Sequence, residues 1–123
     1  MNKKNILCIL SIFSTISIFS LPSNATETRC GWLMNPTPAN WYLKDSDGRW
    51  IISTQGGTQA KGMENLPTLN ENEYVRTNGY YGYGCACLEV ITDSDQMRIK
   101  KIESGEALPL KTCNQDPNLP NIN

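Results

Sequence analysis

The sequence predicts a mainly β, single, disulfide-stapled domain built from antiparallel hairpins, with a small α+β arrangement as the alternative. Three observations carry this. Two pairs of stretches rich in β-branched and aromatic residues flank short Asp/Ser turns, four cysteines remain in a short exported chain, and no segment shows a strong helical pattern.

The chain opens with Met1-Asn2-Lys3-Lys4 and continues through a Ser/Thr-diluted apolar run from Ile6 to Leu21. It then reaches Ser23-Asn24-Ala25, with small residues at the two positions a signal peptidase reads. Residues 1–25 are therefore expected to form a secretory signal peptide. The run is shorter and richer in serine than the roughly 20 apolar residues that span a bilayer, and no later stretch resembles one, so no membrane span is expected after cleavage. Cys8 comes too early for a lipid anchor, and Cys30 follows Arg29 rather than a small residue. The expected location is outside the cytoplasm, periplasmic or secreted.

Removing 25 of 123 residues leaves 98, enough for one domain. Lys3 and Lys4 leave with the signal, so eleven basic groups become nine against twelve acidic ones, a formal charge of −3. The only local basic cluster is Arg98, Lys100 and Lys101, which reads as a solvated strand face. Phosphate neutralisation needs more clustered cations than that, so no nucleic-acid partner is expected.

Cys8 also departs, leaving Cys30, Cys85, Cys87 and Cys113, an even number in a short exported chain, and hence two disulfides. A bond between Cys85 and Cys87 would join alternate residues of an extended strand, whose Cβ atoms stand further apart than the roughly 4 Å a disulfide prefers. Bridges from Cys30 and from Cys113, each ending at the Cys85/Cys87 pair, close long loops and are favoured. Which member takes which partner stays open.

Asn35-Pro36-Thr37-Pro38 reads as a turn or extended link. Residues 40–44 and 49–54 flank Asp45-Ser46-Asp47-Gly48 as a first hairpin. The stretch 55–72 is loop-like, punctuated by Gly56, Gly57, Gly62 and Pro67, and Glu71 to Thr77 fits a short strand or one helical turn. Residues 86–92 and 97–102 flank Asp93-Ser94-Asp95-Gln96 as a second hairpin, which lacks the glycine of the first. Pro109 stops any helix starting at Ser104. The domain is thus expected over 26–113, with 114–123, rich in Asn and Pro, as a flexible tail.

Asn78-Gly79-Tyr80-Tyr81-Gly82-Tyr83-Gly84 invites a phosphate-cradle reading, yet such loops open a helix, and this one opens a strand. The glycines read instead as tight-approach or bulge positions beside the disulfides. Cys-x-Cys has one residue fewer than structural zinc spacings, so no metal or other cofactor is expected. Asp45, Asp47 and Gly48 resemble a fragment of a calcium loop, but Trp50 and Ile52 occupy later ligand positions, and Asx-turn geometry accounts for them. Histidine is absent, which removes Ser-His-Asp and Cys-His catalysis. Glu64, Glu71, Glu73, Glu89, Glu103 and Glu106 remain as material for a carboxylate pair.

Both phenylalanines lie in the signal, so Trp32, Trp41, Trp50 and five tyrosines supply every aromatic ring of the domain. Trp41 and Trp50 are the expected core rings. Asn78, Tyr80, Tyr81 and Tyr83 are the candidate partner-binding residues, because tyrosine combines apolar area with a polar handle.

Arg29-Cys30-Gly31-Trp32, Asn35-Pro36-Thr37-Pro38, the Asp-Gly-x-Trp turn at Asp47 to Trp50, Gln55-Gly56-Gly57, Tyr81 to Cys87 and Ser104 to Leu110 span nearly the whole mature chain. On these motifs it resembles a family of small bacterial exported proteins classed as a domain of unknown function, DUF 4087. The resemblance implies an envelope or secreted location and brings no activity and no site residue. The expectation is a non-enzymatic envelope binding or inhibitor module of immunity type, with an extracytoplasmic protein as partner. A glycan or peptidoglycan-binding domain and a carboxylate-based cell-wall hydrolase are the alternatives.

Overall fold

The computed structural model describes residues 25–122. All of the expected signal peptide but Ala25 lies outside the described residues. Strand formation follows the alternation in the sequence. β1 (Glu27–Thr37) turns Leu33 inward and Trp32 outward, and β2 (Asn40–Asp45) and β3 (Gly48–Ser53) turn Leu43, Trp50 and Ile52 inward. β4 (Tyr74–Asn78), β5 (Tyr81–Asp93) and β6 (Arg98–Leu108) follow, and α1 (Leu110–Asn114) is a single short helix. The mainly β, disulfide-tied fold expected from the sequence is the one observed.

β1 pairs antiparallel with β2 on one edge and with β5 on the other, β2 with β3, and β5 with β6. β3 and β6 then meet in parallel at Ile51 and Arg98, closing a five-stranded Greek-key barrel, and β4 adds a sixth strand to β5. At the seam the Ile51 N–H donates to the Met97 carbonyl at 2.9 Å. Residues 59–61 fill the gap beyond it: the Ala60 N–H donates to Ile52 O at 2.8 Å, and Lys61 exchanges bonds with Lys100 and Ile102 at 3.0 and 2.9 Å.

Inside the ring Leu33, Leu43, Trp50, Ile52, Ala86, Leu88, Val90, Ile99 and Ile102 form one apolar cluster. Each such side chain contributes about 1.5–3 kcal/mol on burial. Both expected hairpins are present. In the second, Met97 takes the left-handed conformation (φ 51°) for which the sequence offers no glycine, and its side chain packs against the barrel core. The segment read as a link at 35–38 stays in β1 as far as Thr37, and the β1–β2 register slips between Met34 and Thr37, where Pro36 has no N–H to donate. Glu71 to Thr77 holds both of its alternatives in succession, one 3-10 turn at Glu71–Glu73 and then β4.

Outside the ring a second cluster gathers Trp32, Tyr83, Cys85 and Cys113. Cys30 bonds Cys87 directly across the β1–β5 ladder, and Cys85 bonds Cys113, which seats α1. For the described residues 114–122 of the stretch 114–123, expected to be a flexible tail, the structure corrects that reading. Leu119 and Ile122 pack on that second cluster beside Trp32, because β5 leaves an apolar outer face there that needs covering.

The start of β1 is fixed by Arg29. Its guanidinium lies 3.9 Å over the Trp50 ring and bonds Asp45 at 2.8 Å, Asp47 at 2.9 Å and Glu27 at 2.9 Å.

Candidate functional site

Inward positions along β5 run Gly82, Gly84, Ala86, Leu88, Val90, so side-chain volume vanishes toward one end of the barrel. A Cβ on Gly84 would stand 3.0 Å from Leu69 Cδ1, so the missing side chain is what seats Leu69 there. Leu69 and Trp41 both rest on the barrel core, and above them opens a groove of about 310 Å³. Its walls are Tyr74 and Arg76, on one face of β4, Tyr80 in the β4–β5 turn, and Pro67, Thr68 and Glu71 in the connection before β4.

The β4–β5 turn places Gly79 at φ 59°, the first central position of a two-residue hairpin loop, where positive φ favours glycine. The Tyr74 hydroxyl donates to the Tyr80 carbonyl at 3.1 Å and ties the turn to β4. Tyr80 is 82% exposed, the large exposed hydrophobic side chain among the described residues. The Arg76 guanidinium lies 4.9 Å over its ring and is 3.0 Å from Glu71 Oε1. Three aromatic rings thus border a hollow that also holds a donor, Arg76, and an acceptor, Glu71. Such a site can take an extended segment with one apolar face and polar edges.

Burial pushes the Tyr74 phenol above its ordinary value of 10, and the charge of Arg76 opposes that shift. A raised value means that the stability Tyr74 contributes is fully present below about pH 10 and is lost as pH rises through the folded-state value. In an alkaline absorbance titration of the folded protein, Tyr74 is expected to ionise late. The late phase should vanish in Tyr74→Phe, and its persistence in that variant would assign it to another tyrosine.

Of the candidate residues read from the sequence, Tyr80 lines the groove. Asn78 is exposed beside the turn and Tyr81 is half-buried, and neither lines it. Tyr83 as a partner-binding residue is corrected. It is 9% exposed and meets the Trp32 ring edge-on, at 5.4 Å and 89°. Strand alternation puts it on the face of Cys85, and α1 and the C-terminal segment cover that face. Trp41, read as core, has one side on the core and the other on the groove.

Tyr74, Arg76 and Leu69 were not singled out from sequence. The one local signal is Tyr74-x-Arg76 on one face of a strand. Of the carboxylates, Glu71 serves Arg76, Glu73 accepts from the Leu110 N–H at 2.7 Å, Glu89 accepts from Thr28 and Glu103 pairs with Lys101, while Glu89 and Glu106 line one hollow beside Cys87 and Ser104. Among the described residues no group of three or more Cys, Asp or Glu side chains is arranged to hold a metal ion.

Two disulfides belong to an oxidising environment, and no helix among the described residues is long and apolar enough to cross a membrane. Neither the curated proteins nor the solved structures include a match to this chain. Residues 24–120 match the model of the family described as "Protein of unknown function (DUF4087)", which takes in every strand, both disulfides and the groove, and the chain belongs to that family.

Proposed function

We propose that this protein is an exported, non-enzymatic binding module of the bacterial envelope, of inhibitor or immunity type, and that it docks a segment of an extracytoplasmic protein in the barrel-mouth groove. The supporting observation is the exposed Tyr80 ring stacked with Arg76 beside Trp41 and Tyr74. Tyrosine, tryptophan and arginine around a preformed hollow are the side chains that dominate binding energy at protein interfaces. The absence of histidine from the sequence supports a binding role over acid–base catalysis near neutral pH.

A photo-crosslinking amino acid at position 80, in protein expressed with its native leader in the source bacterium, is the test. The expected result is a covalent adduct to one extracytoplasmic protein. Tyr80→Ala should weaken binding of that purified protein by tenfold or more, as for an interface hot spot. Equal affinity for the Tyr80→Ala protein would remove the groove as the docking surface.

The ring order supports a second reading. Five-stranded Greek-key barrels include folds that bind oligosaccharides, an analogy of architecture rather than of site. Under that reading Trp41 emission responds to titration with muropeptides, and no protein adduct forms at position 80.

A further inference from the structure

We infer that the partner segment is held at the barrel mouth as an added β-strand, hydrogen-bonded to the free edge of β4, with uncharged aliphatic side chains at alternate positions seated in the groove. This rests on the reading of the groove as a protein-docking site and adds how the partner's chain is held there.

β5 carries β1 on one edge and both β6 and β4 on the other. Gly82 to Gly84 pair with β1 and β4 at once, and Cys85 to Val90 pair with β1 and β6 at once. Leu108 ends β6 opposite Cys85, and Tyr74 starts β4 opposite Gly84, so β4 continues the ring position of β6 toward the mouth. Its far edge therefore points the same way as the edge of β6 that meets β3. Beside β6 the gap on that side is filled from within the chain. Residues 59–61 lie in it, bonded to Ile52 of β3 on one side and to Lys100 and Ile102 of β6 on the other. Beside β4 the same gap is the groove, with Tyr74 and Arg76 on one wall and Trp41 of β2 among the residues facing them.

No segment does for β4 what residues 59–61 do for β6. Its ladder is to β5, and among the described residues no other backbone hydrogen bond reaches positions 74–78. Pro67 and Leu69 line the groove with side chains and make no backbone bond to β4. Alternate residues of an antiparallel strand turn both N–H and C=O to one edge, so β4 presents unpaired donors and acceptors to the gap.

That row selects the occupant. A peptide backbone offers donors and acceptors in the same alternation and at the same spacing, which a sugar chain does not. A second copy of β4 fits poorly, because antiparallel pairing about the strand's centre sets Arg76 against its own counterpart, and like charges directly opposite are destabilising. The five residues of β4 extend about 17 Å, the length of a short linear segment. Arg76 is already paired with Glu71, so the segment needs no charge of its own, and Leu69, Trp41 and Tyr74 suit aliphatic side chains.

The test pans a phage library of random linear peptides against the purified mature protein with both disulfides formed. Enriched sequences are expected to alternate aliphatic with other residues and to lack proline in the contact stretch. The best peptide is then synthesised with its backbone nitrogens methylated at alternate positions, in each of the two registers. One register should lower affinity about tenfold or more, because it removes the donors facing β4, and the other should leave it unchanged. Bound peptide should also slow amide hydrogen exchange at alternate residues of β4. Affinity untouched by methylation in either register, or unchanged exchange in β4, would overturn the added strand. If Tyr80→Ala still weakened such a peptide, the groove reading would stand without it. An enriched peptide indifferent to Tyr80→Ala, or no enrichment at all, would remove both.

Discussion

Asp45→Ala is expected to cost about 3–5 kcal/mol of folding stability, the range for breaking one side of a buried ion pair. For a domain of this size that lowers the melting temperature by more than about 12 °C. One carboxylate serves three donors: Oδ1 accepts from the Trp50 indole N–H at 3.0 Å and from the Asp47 N–H at 2.9 Å, and Oδ2 accepts from Arg29 at 2.8 Å. Alanine leaves the indole N–H buried without an acceptor and removes an inner counter-ion of a guanidinium held over the Trp50 ring.

Arg29 cannot escape by losing its proton. Burial pulls its pKa down, but hydrogen bonds to Asp47 and Asp45 and the charge of Glu27 outweigh that and hold it above its ordinary value. Asp45→Asn keeps the Oδ1 acceptor for Trp50 and Asp47 but gives up the charge and sets an N–H donor where Oδ2 accepts from Arg29, so a loss smaller than alanine's is expected. Urea denaturation of the three proteins at one pH reads the difference. A loss under about 1 kcal/mol for alanine would mean that water replaces the carboxylate without penalty.

Removing the Cys85–Cys113 bridge as Cys85→Ala/Cys113→Ala is the second large effect. Its 28-residue separation corresponds to about 3.5 kcal/mol in the chain-entropy model, and the seating of α1 adds to that. Cys30 and Cys87, 57 residues apart, correspond to about 4 kcal/mol, but their strands are paired through nine register positions from Glu27–Val90 to Asn35–Gly82 without the bridge. The two losses should therefore differ in kind.

Cys30→Ala/Cys87→Ala should unfold at lower denaturant with an unchanged native spectrum. Cys85→Ala/Cys113→Ala should also shift native tryptophan emission to the red, because α1, Leu119 and Ile122 no longer cover Trp32. Equal native spectra for both variants would show that packing alone holds α1 in place.

The two hairpins were legible because turn chemistry and period-two alternation are local properties. Asp45 to Gly48 and Asp93 to Gln96 each announce a reversal between β-rich stretches. β4 was half-legible, since five residues following a 3-10 turn carry too few alternations to separate strand from helix. The long run of β6 through Ser104-Gly105-Glu106 was hidden. Its side chains there are small or polar, and what holds it extended is the ladder to Cys87, Leu88 and Glu89 of β5. The candidate site was legible at Tyr80 alone. Its place beside Asn78 and Gly79 predicts exposure, but nothing in positions 67–76 says that this connection folds over the same end of the barrel as Trp41.

From the residues themselves come the β-rich class, the four oxidisable cysteines of the mature chain, the two Asp/Ser turns and the lack of histidine, since each depends on composition or on neighbours a few positions apart. Tertiary structure alone decided that Cys30 meets Cys87, that Tyr83 is covered while Tyr80 is not, and that Asp45 serves both Arg29 and Trp50. The physical reason is ring closure. When β1 pairs with both β2 and β5, and β3 meets β6, residues up to tens of positions apart become neighbours, and no local pattern encodes which ones.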